Sequence, residues 1–380
     1  MDVQLINARL VLPDAVQAGC LQLRDGHIAA LSTTPSATVG QHIDCAGDYL
    51  LPGLIELHSD NLEKHLMPRA GVLWPAFPSL IAHDAQLAAA GITTVLDALS
   101  VGDLESDDAR THSLAPVAAA LLDADFQALQ RCEHLLHLRC ELACPTLPAL
   151  LAPLLDHPLL RLLSLMDHTP GQRQYRDVAQ YRLYYSRNQR YWSDEAFAAL
   201  LDARRQQQAT YAPTHRDFIV AHAQTHHIPL ASHDDTTLAD VAESQRSGVT
   251  VAEFPTTEQA AQAARAAGQQ VLAGAPNLVR GKSHSGNVAA LTLADAGLID
   301  ILSSDYVPAA LLRALFILAE RPGWTLPRAI ATATANPAQA IGLHDRGTLQ
   351  TGLRADLIRV RCVDGEPVVI NTYRCGRQVF

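Results

Sequence analysis

The stretch LPGLIELHSDNLEKH, residues 51–65, is mostly apolar up to Leu57 and then ends in His58, Ser59, Asp60 and Asn61. A buried strand that stops on an imidazole and a carboxylate two residues apart sends both to the same side, because residues i and i+2 of a strand share a face. Seven further apolar runs have the same texture: GITTVLDAL (91–99), EHLLHLRCEL (133–142), LLRLLSLMDHT (159–169), IPLASHDD (228–235), VTVAEFPTT (249–257), QVLAGAPN (270–277) and IDILSSDY (299–306). Ala/Leu-rich helical stretches separate them, such as TTEQAAQAARAAG (256–268). Short apolar runs alternating with helices predict parallel strands. Eight of them predict an α/β fold, a (β/α)₈ barrel, with its active site at the C-terminal ends of the strands.

Those ends carry the chemistry. The first run finishes on His58 and Asp60, the third on Glu141, the fourth on Asp167 and His168, the fifth on His233, Asp234 and Asp235, and the eighth on Asp305; the sixth carries Glu253. Imidazoles and carboxylates converging on one pocket suit one or two divalent ions, Zn²⁺ or Mn²⁺. Glu141 is the candidate carboxylate to lie between two ions, and Asp305 a candidate ligand that also takes a proton from an attacking water. Glu253 sits inside its run, where a supporting or salt-bridging role is the alternative. A lone strand-end histidine is more often a hydrogen-bonded structural residue; the set argues for a site.

On either side of these runs, residues 1–50 and 346–380 read as short strands with tight turns, including Asp25-Gly26 at a hairpin position. They predict a small β-sandwich domain built from both termini, around a barrel spanning 51–345. Three cationic features frame the barrel mouth. GAPNLVRGKSHSGNVAAL (274–291) follows the seventh run and brings Arg280, Lys282, Ser283 and His284 beside glycines, a composition suited to phosphate oxygens. GQRQYRDVAQYRLYYSRNQRYW (171–192) holds five arginines, Arg173 among them, five tyrosines and one acid. It lies in a predicted lid insertion, 170–215, that suits a highly charged anion; nucleic-acid stacking and a subunit contact are the rivals. Lys64 and Arg69 follow the first run, as substrate contacts or as ordinary salt-bridge partners.

Composition narrows the function. The 380 residues carry a formal charge of −10, which argues against a general nucleic-acid binder. Seven cysteines with no CxxC fit free thiols in a reducing cytoplasm, though Cys140 and Cys144 are conceivable metal ligands. The N-terminus lacks a signal-peptide pattern, and no run of about 18 apolar residues predicts a membrane span.

The terminal β segments around a barrel, with PGLIELH near 52 and GTLQTGLRADL near 347, resemble the amidohydrolase superfamily. The usual first-strand motif there is HxH, whereas this chain has His58-Ser59-Asp60. ELHSDNLEKH, HLRCEL, SLMDHTPGQRQY, ASHDD, AEFPTT, GAPNLVRGKSHSGNVAA and LSSDYVPAALL are similar to a phosphonate-metabolism branch of it, along nearly the whole chain. The resemblance implies a metal-dependent hydrolase that cuts a ribose 1-methylphosphonate 5-triphosphate into the 5-phosphate and pyrophosphate, in the carbon–phosphorus lyase pathway. It implies His58, Asp60, Glu141, His168, His233 and Asp305 as the metal-site residues, and a homodimer. The alternative left open is hydrolysis of a cyclic amide or N-acyl carbonyl.

Overall fold

Each of the eight apolar runs becomes one strand of a single parallel sheet. In this computed structural model, residues 2–69, 71–102, 108–176, 178, 181–182, 193–283 and 285–380 are described. The strands are Leu54–Ser59, Ile92–Val101, Glu133–Glu141, Leu160–Met166, Leu230–His233, Val251–Glu253, Gln270–Gly274 and Ile301–Ser303, each hydrogen-bonded to the next in chain order. The eighth returns to the first through a parallel bridge between Ser59 and Asp305. Asp60 N–H also donates to Asp305 O at 3.0 Å. The barrel therefore closes at its mouth, on two residues of the expected site.

Inward-facing Leu57, Leu96, Leu135, Leu162, Val251, Leu272 and Ile301 fill the barrel, joined by Ala338 and Ile341. Burial of each large aliphatic contributes about 1.5–3 kcal/mol. The outer faces pack against helices in two larger clusters. Cys140 and Cys144 belong to the second of these, and burial pushes the Cys140 thiol up. Buried in an apolar cluster, they serve as core residues, and no metal-type cluster among the described residues includes a cysteine.

The strand ends are held by the helices they run into. Strands five and six lead to Leu238–Arg246 and Glu258–Ala266, whose first turns are capped by Thr237 and Thr257. Thr237 forms a full capping box with Asp240. Asp234, Phe254 and Asp305 take left-handed φ values of 59°, 52° and 53°. That conformation costs a non-glycine residue about 1–2 kcal/mol. Three instances at one end of the barrel mark where the backbone bends to aim side chains.

The terminal segments form one eight-stranded sheet around Leu5, Leu21, Ile28, Leu50, Leu357 and Tyr373. Asp25 and Gly26 make the expected two-residue hairpin, both at positive φ. Gly53 joins the sheet strand Tyr49–Pro52 to the first barrel strand. A side chain there would meet Thr93 Oγ1 at 2.3 Å, so only glycine lets the two strands approach. Glu133 ties the sheet to the barrel, pairing with Arg346 at 2.7 Å and with Arg354.

The fourth connection differs from expectation. Asp194–His226 is one helix of 33 residues, capped at Ser193, that buries Ala212, His215, Ile219 and Ala223. The predicted lid boundary at 215 falls inside it, because its apolar face packs on the barrel's outer cluster. Arg187, Arg190, Tyr184, Tyr185 and Tyr191 lie outside the described residues, as does His284. Among the described residues, no helix is long and apolar enough to cross a membrane.

Candidate active site

A cavity of about 240 Å³ opens at the C-terminal ends of the strands. Its lining includes His58, Asp60, Arg139, His233, Asp234 and Asp305 on the barrel side, and Arg280, Ser283, Ser285 and Asn287 from the loop after strand seven.

Glu253 organises the floor. It is fully buried and accepts three hydrogen bonds: from His58 Nδ1–H at 3.0 Å, His233 Nδ1–H at 3.3 Å and Ser164 Oγ–H at 2.7 Å. Burial alone would raise its carboxyl pKa; His58 and His137 hold it well below the ordinary value. Glu141 treats His168 in the same way, accepting from Nδ1–H at 2.7 Å and from the backbone N–H at 3.2 Å. Each of the three imidazoles is thus gripped at Nδ1 by a carboxylate, which fixes its tautomer and leaves Nε2 free. That is how metal-ligating histidines are ordinarily oriented.

The free atoms converge. His58, Asp60 and Asp305 each offer one ligand atom within 4.8 Å of the others, and so do His168, His233 and Asp234. His58 Nε2 lies 3.6 Å from Asp60 Oδ1, and His233 Nε2 lies 3.3 Å from Asp234 Oδ2. Asp234 Oδ2 is buried and accepts no hydrogen bond. An orphaned carboxylate oxygen facing an imidazole nitrogen fits a divalent cation, which would satisfy both. Asp305 is pushed up to about 7, first by burial and then by Asp60 beside it. Asp60 goes the other way despite burial, held low by Arg139 at 2.5 Å and by His58.

His58, Asp60, His233 and Asp305 therefore share the cavity; His168 does not line it but packs edge-on against His233, with ring centroids 5.6 Å apart. Both oxygens of Glu141 are committed to His168, so in this geometry it supports a ligand where a carboxylate between two ions was expected.

Of the loop after strand seven, the cationic Arg280 and the neutral Ser283 line the cavity, while Lys282 is exposed beside them. Arg173, expected as a substrate contact, does not line the cavity. It is 6% exposed, pairs with Asp235 and Glu243, and donates to His233 O at 3.0 Å. A buried guanidinium seeks buried carboxylates, because an unpaired ion there costs several kcal/mol. It thus braces strand five and does not reach the cavity. Lys64 likewise donates to Tyr306 O and lies over that ring, 5.1 Å from its centroid. Arg69 is exposed in a local turn with Val72. Neither lines the cavity.

Arg139, Gln174, Asn287 and Tyr306 line it without having stood out in the sequence, and Asp234, conspicuous there only as a strand end, lines it too. Arg139 stands two residues before Glu141, on the same face of its strand. Gln174, Asn287 and Tyr306 carry polar groups with no distinctive spacing.

The sequence pattern of the Amidohydrolase family matches residues 193–379. The alpha-D-ribose 1-methylphosphonate 5-triphosphate diphosphatase of Escherichia coli strain K12 is 44% identical, covering 98% of this chain and 99% of that one. Among solved structures, dihydropyrimidinase from Brevibacillus agri aligns with a TM-score of 0.63 at 13% identity, over 100% of this chain and 95% of that one. The 5-methylcytosine deaminase from Klebsiella pneumoniae aligns with a TM-score of 0.63 at 16% identity, over 99% and 97%. These structures share the fold; the full-length relative shares the sequence. The chain belongs to the amidohydrolase family.

Proposed function

We propose that the protein hydrolyses alpha-D-ribose 1-methylphosphonate 5-triphosphate to the 5-phosphate and pyrophosphate, in the carbon–phosphorus lyase pathway of phosphonate breakdown. The observation that carries this is the 44% identity to a diphosphatase of that activity across 98% of the chain. His58, Asp60, His168, His233, Asp234 and Asp305 would hold one or two divalent cations, with Zn²⁺ and Mn²⁺ best suited to imidazole and carboxylate donors without thiolates. Bound there, a divalent cation supplies Lewis acidity toward a phosphoryl oxygen and toward the water that attacks it. Asp305 takes the proton of that water as the oxygen bonds to phosphorus and the bridging P–O bond breaks, releasing pyrophosphate. Glu253 and Glu141 keep the imidazoles in register throughout. Ser283, Ser285 and Arg280 supply neutral and cationic donors to the phosphate chain, as a polyanion requires.

Phosphorus NMR on the cation-loaded protein tests the reading. The expected result is pyrophosphate from the ribose phosphonate triphosphate, abolished by a chelator. Orthophosphate alone, or no cleavage alongside hydrolysis of a dihydropyrimidine, would replace it. The rim cation gives a second prediction. Arg280→Ala is expected to raise KM for the triphosphate about tenfold with little change in kcat, because a lost charge-assisted contact is worth roughly 1.5–3 kcal/mol. Lys282→Ala, at a residue that does not line the cavity, is expected to change KM less. Steady-state kinetics on the two variants decides; unchanged constants in both would leave that loop as plain surface.

A further inference from the structure

We infer that Arg139 is a phosphate-binding catalytic residue: its guanidinium sits at the inner end of the cavity, takes the phosphoryl oxygens nearest the reacting bond, and leaves the far end of the chain to Arg280. This rests on the triphosphate reading above.

The third strand alternates, so His137, Arg139 and Glu141 face inward together. His137 lies on the buried floor beside Ser164, and Glu141 holds His168. Arg139 stands between them, its side chain 11% exposed. It lines the cavity with His58, Asp60, His233, Asp234 and Asp305. A guanidinium carries five N–H donors in a rigid fork. One bond goes from Nη1 to Asp60 Oδ1 at 2.5 Å, while Nε is buried with no partner. An orphaned buried donor at a cavity wall calls for an acceptor that arrives from the cavity.

Charge points the same way. Asp60, Asp234 and Asp305 line the cavity, with Glu253 directly beneath. A polyanion approaching that wall meets strong repulsion unless fixed positive charge is built in. Among the described lining residues only Arg139 and Arg280 carry it. Arg280 is exposed at the rim, so Arg139 is the only one of the two placed among the carboxylates. Its bond to Asp60 holds the fork in place before substrate enters, so the ordering cost is met in advance.

The competing role is that of a mere counter-ion for Asp60. Arg139→Ala, Arg139→Lys and Arg280→Ala would be compared with wild type in the full-length, cation-loaded protein. The readouts are kcat and KM for the ribose phosphonate triphosphate, cation content, melting temperature, and inorganic pyrophosphate affinity by calorimetry. Arg139→Ala is expected to lower kcat about 10²-fold or more, the usual size for loss of one transition-state donor. Pyrophosphate should bind at least about tenfold more weakly, the equivalent of 1.4 kcal/mol. Added guanidinium should restore part of kcat to Arg139→Ala and none to Arg280→Ala. Lysine, a point charge without the fork, should recover binding better than turnover. Unchanged kcat and pyrophosphate affinity in Arg139→Ala would overturn the inference. So would loss of cation in both Arg139 variants with activity falling only in proportion to it. If wild type cleaves no triphosphate, the functional reading fails by itself, and the pyrophosphate titration still decides whether Arg139 binds phosphate.

Discussion

Asp305→Asn is expected to lower triphosphate turnover by about 10³-fold, within the range for loss of a positioned general base, while the protein folds and melts as wild type. The backbone at this position is held independently of the carboxylate. Asp305 N–H donates to Ser303 Oγ at 3.1 Å, and Asp305 O accepts from Asp60 N–H at 3.0 Å. Asparagine tolerates the left-handed φ of 53° better than most residues. The exchange is nearly isosteric, so it removes the carboxylate's basicity and its affinity for a cation. Kinetics and cation content on one sample separate these. A variant that keeps its cation and loses turnover identifies Asp305 as the proton acceptor. A variant that loses both assigns it to holding the cation. Wild-type turnover with wild-type cation content would remove Asp305 from the mechanism.

Much of the barrel was legible because a buried parallel strand leaves a compact signature. Runs such as IPLASHDD and IDILSSDY are too short for helices, and they end on polar residues that water or a ligand must satisfy. The hairpin at Asp25-Gly26 was legible for a related reason, since few residue pairs accept positive φ twice. The helix Asp194–His226 was not. It buries little of itself, with five buried residues along 33, so its apolar stripe is thin, and the polar stretch Arg204-Arg205-Gln206-Gln207-Gln208 interrupts the pattern.

The candidate site was legible as a set and illegible in its pairings. His58, Asp60, His233 and Asp305 were conspicuous because they stand at strand ends. Which residue supports which is a tertiary matter. Glu253 reaches across 195 positions to His58, and Arg173 finds Asp235 62 positions away. Arg173 looked like a substrate contact because its neighbours in sequence are tyrosines and arginines; folded, its neighbours are carboxylates. The HSD departure also gains a physical sense. A carboxylate at position 60 gives the Arg139 guanidinium an ion pair, whereas a neutral imidazole offers it no charge.

Raising the pH from 6.5 to about 9 is expected to strip about 3 kcal/mol from the protein's stability through one buried imidazole, at about 1.36 kcal/mol for each pH unit separating its folded and unfolded pKa. His134 is 3% exposed. Its Nδ1 faces Asp97 Oδ2 at 2.7 Å and its Nε2 faces Asp84 Oδ1 at 3.3 Å. Burial by itself would lower its pKa; Asp97 and Asp84 overcome that and raise it to about 9. With a carboxylate on each nitrogen, the ring is a doubly protonated imidazolium.

His83 completes the network as a neutral ring. Its Nε2–H donates to Asp97 Oδ1 at 2.9 Å, and its Nδ1 accepts from Asn61 Nδ2 at 3.0 Å. That places its proton toward Asp97, where a cation-binding imidazole would need a lone pair. Asp84 in turn receives the backbone N–H groups of Arg131 and Cys132 at 2.9 and 2.8 Å, so the cluster pins the start of strand three. The folded pKa of His134 lies above the unfolded value of about 6.5, so the stabilisation is complete below that pH. It declines as pH rises through about 9. His134→Leu strands two buried carboxylates and is expected to cost about 3–5 kcal/mol near neutral pH. It should also abolish most of the alkaline decline. Denaturant melts of wild type and variant at pH 6.5, 8 and 9.5, all cation-loaded, provide the check. If the variant loses stability with pH as steeply as wild type, the imidazolium is not what the alkaline limb reports.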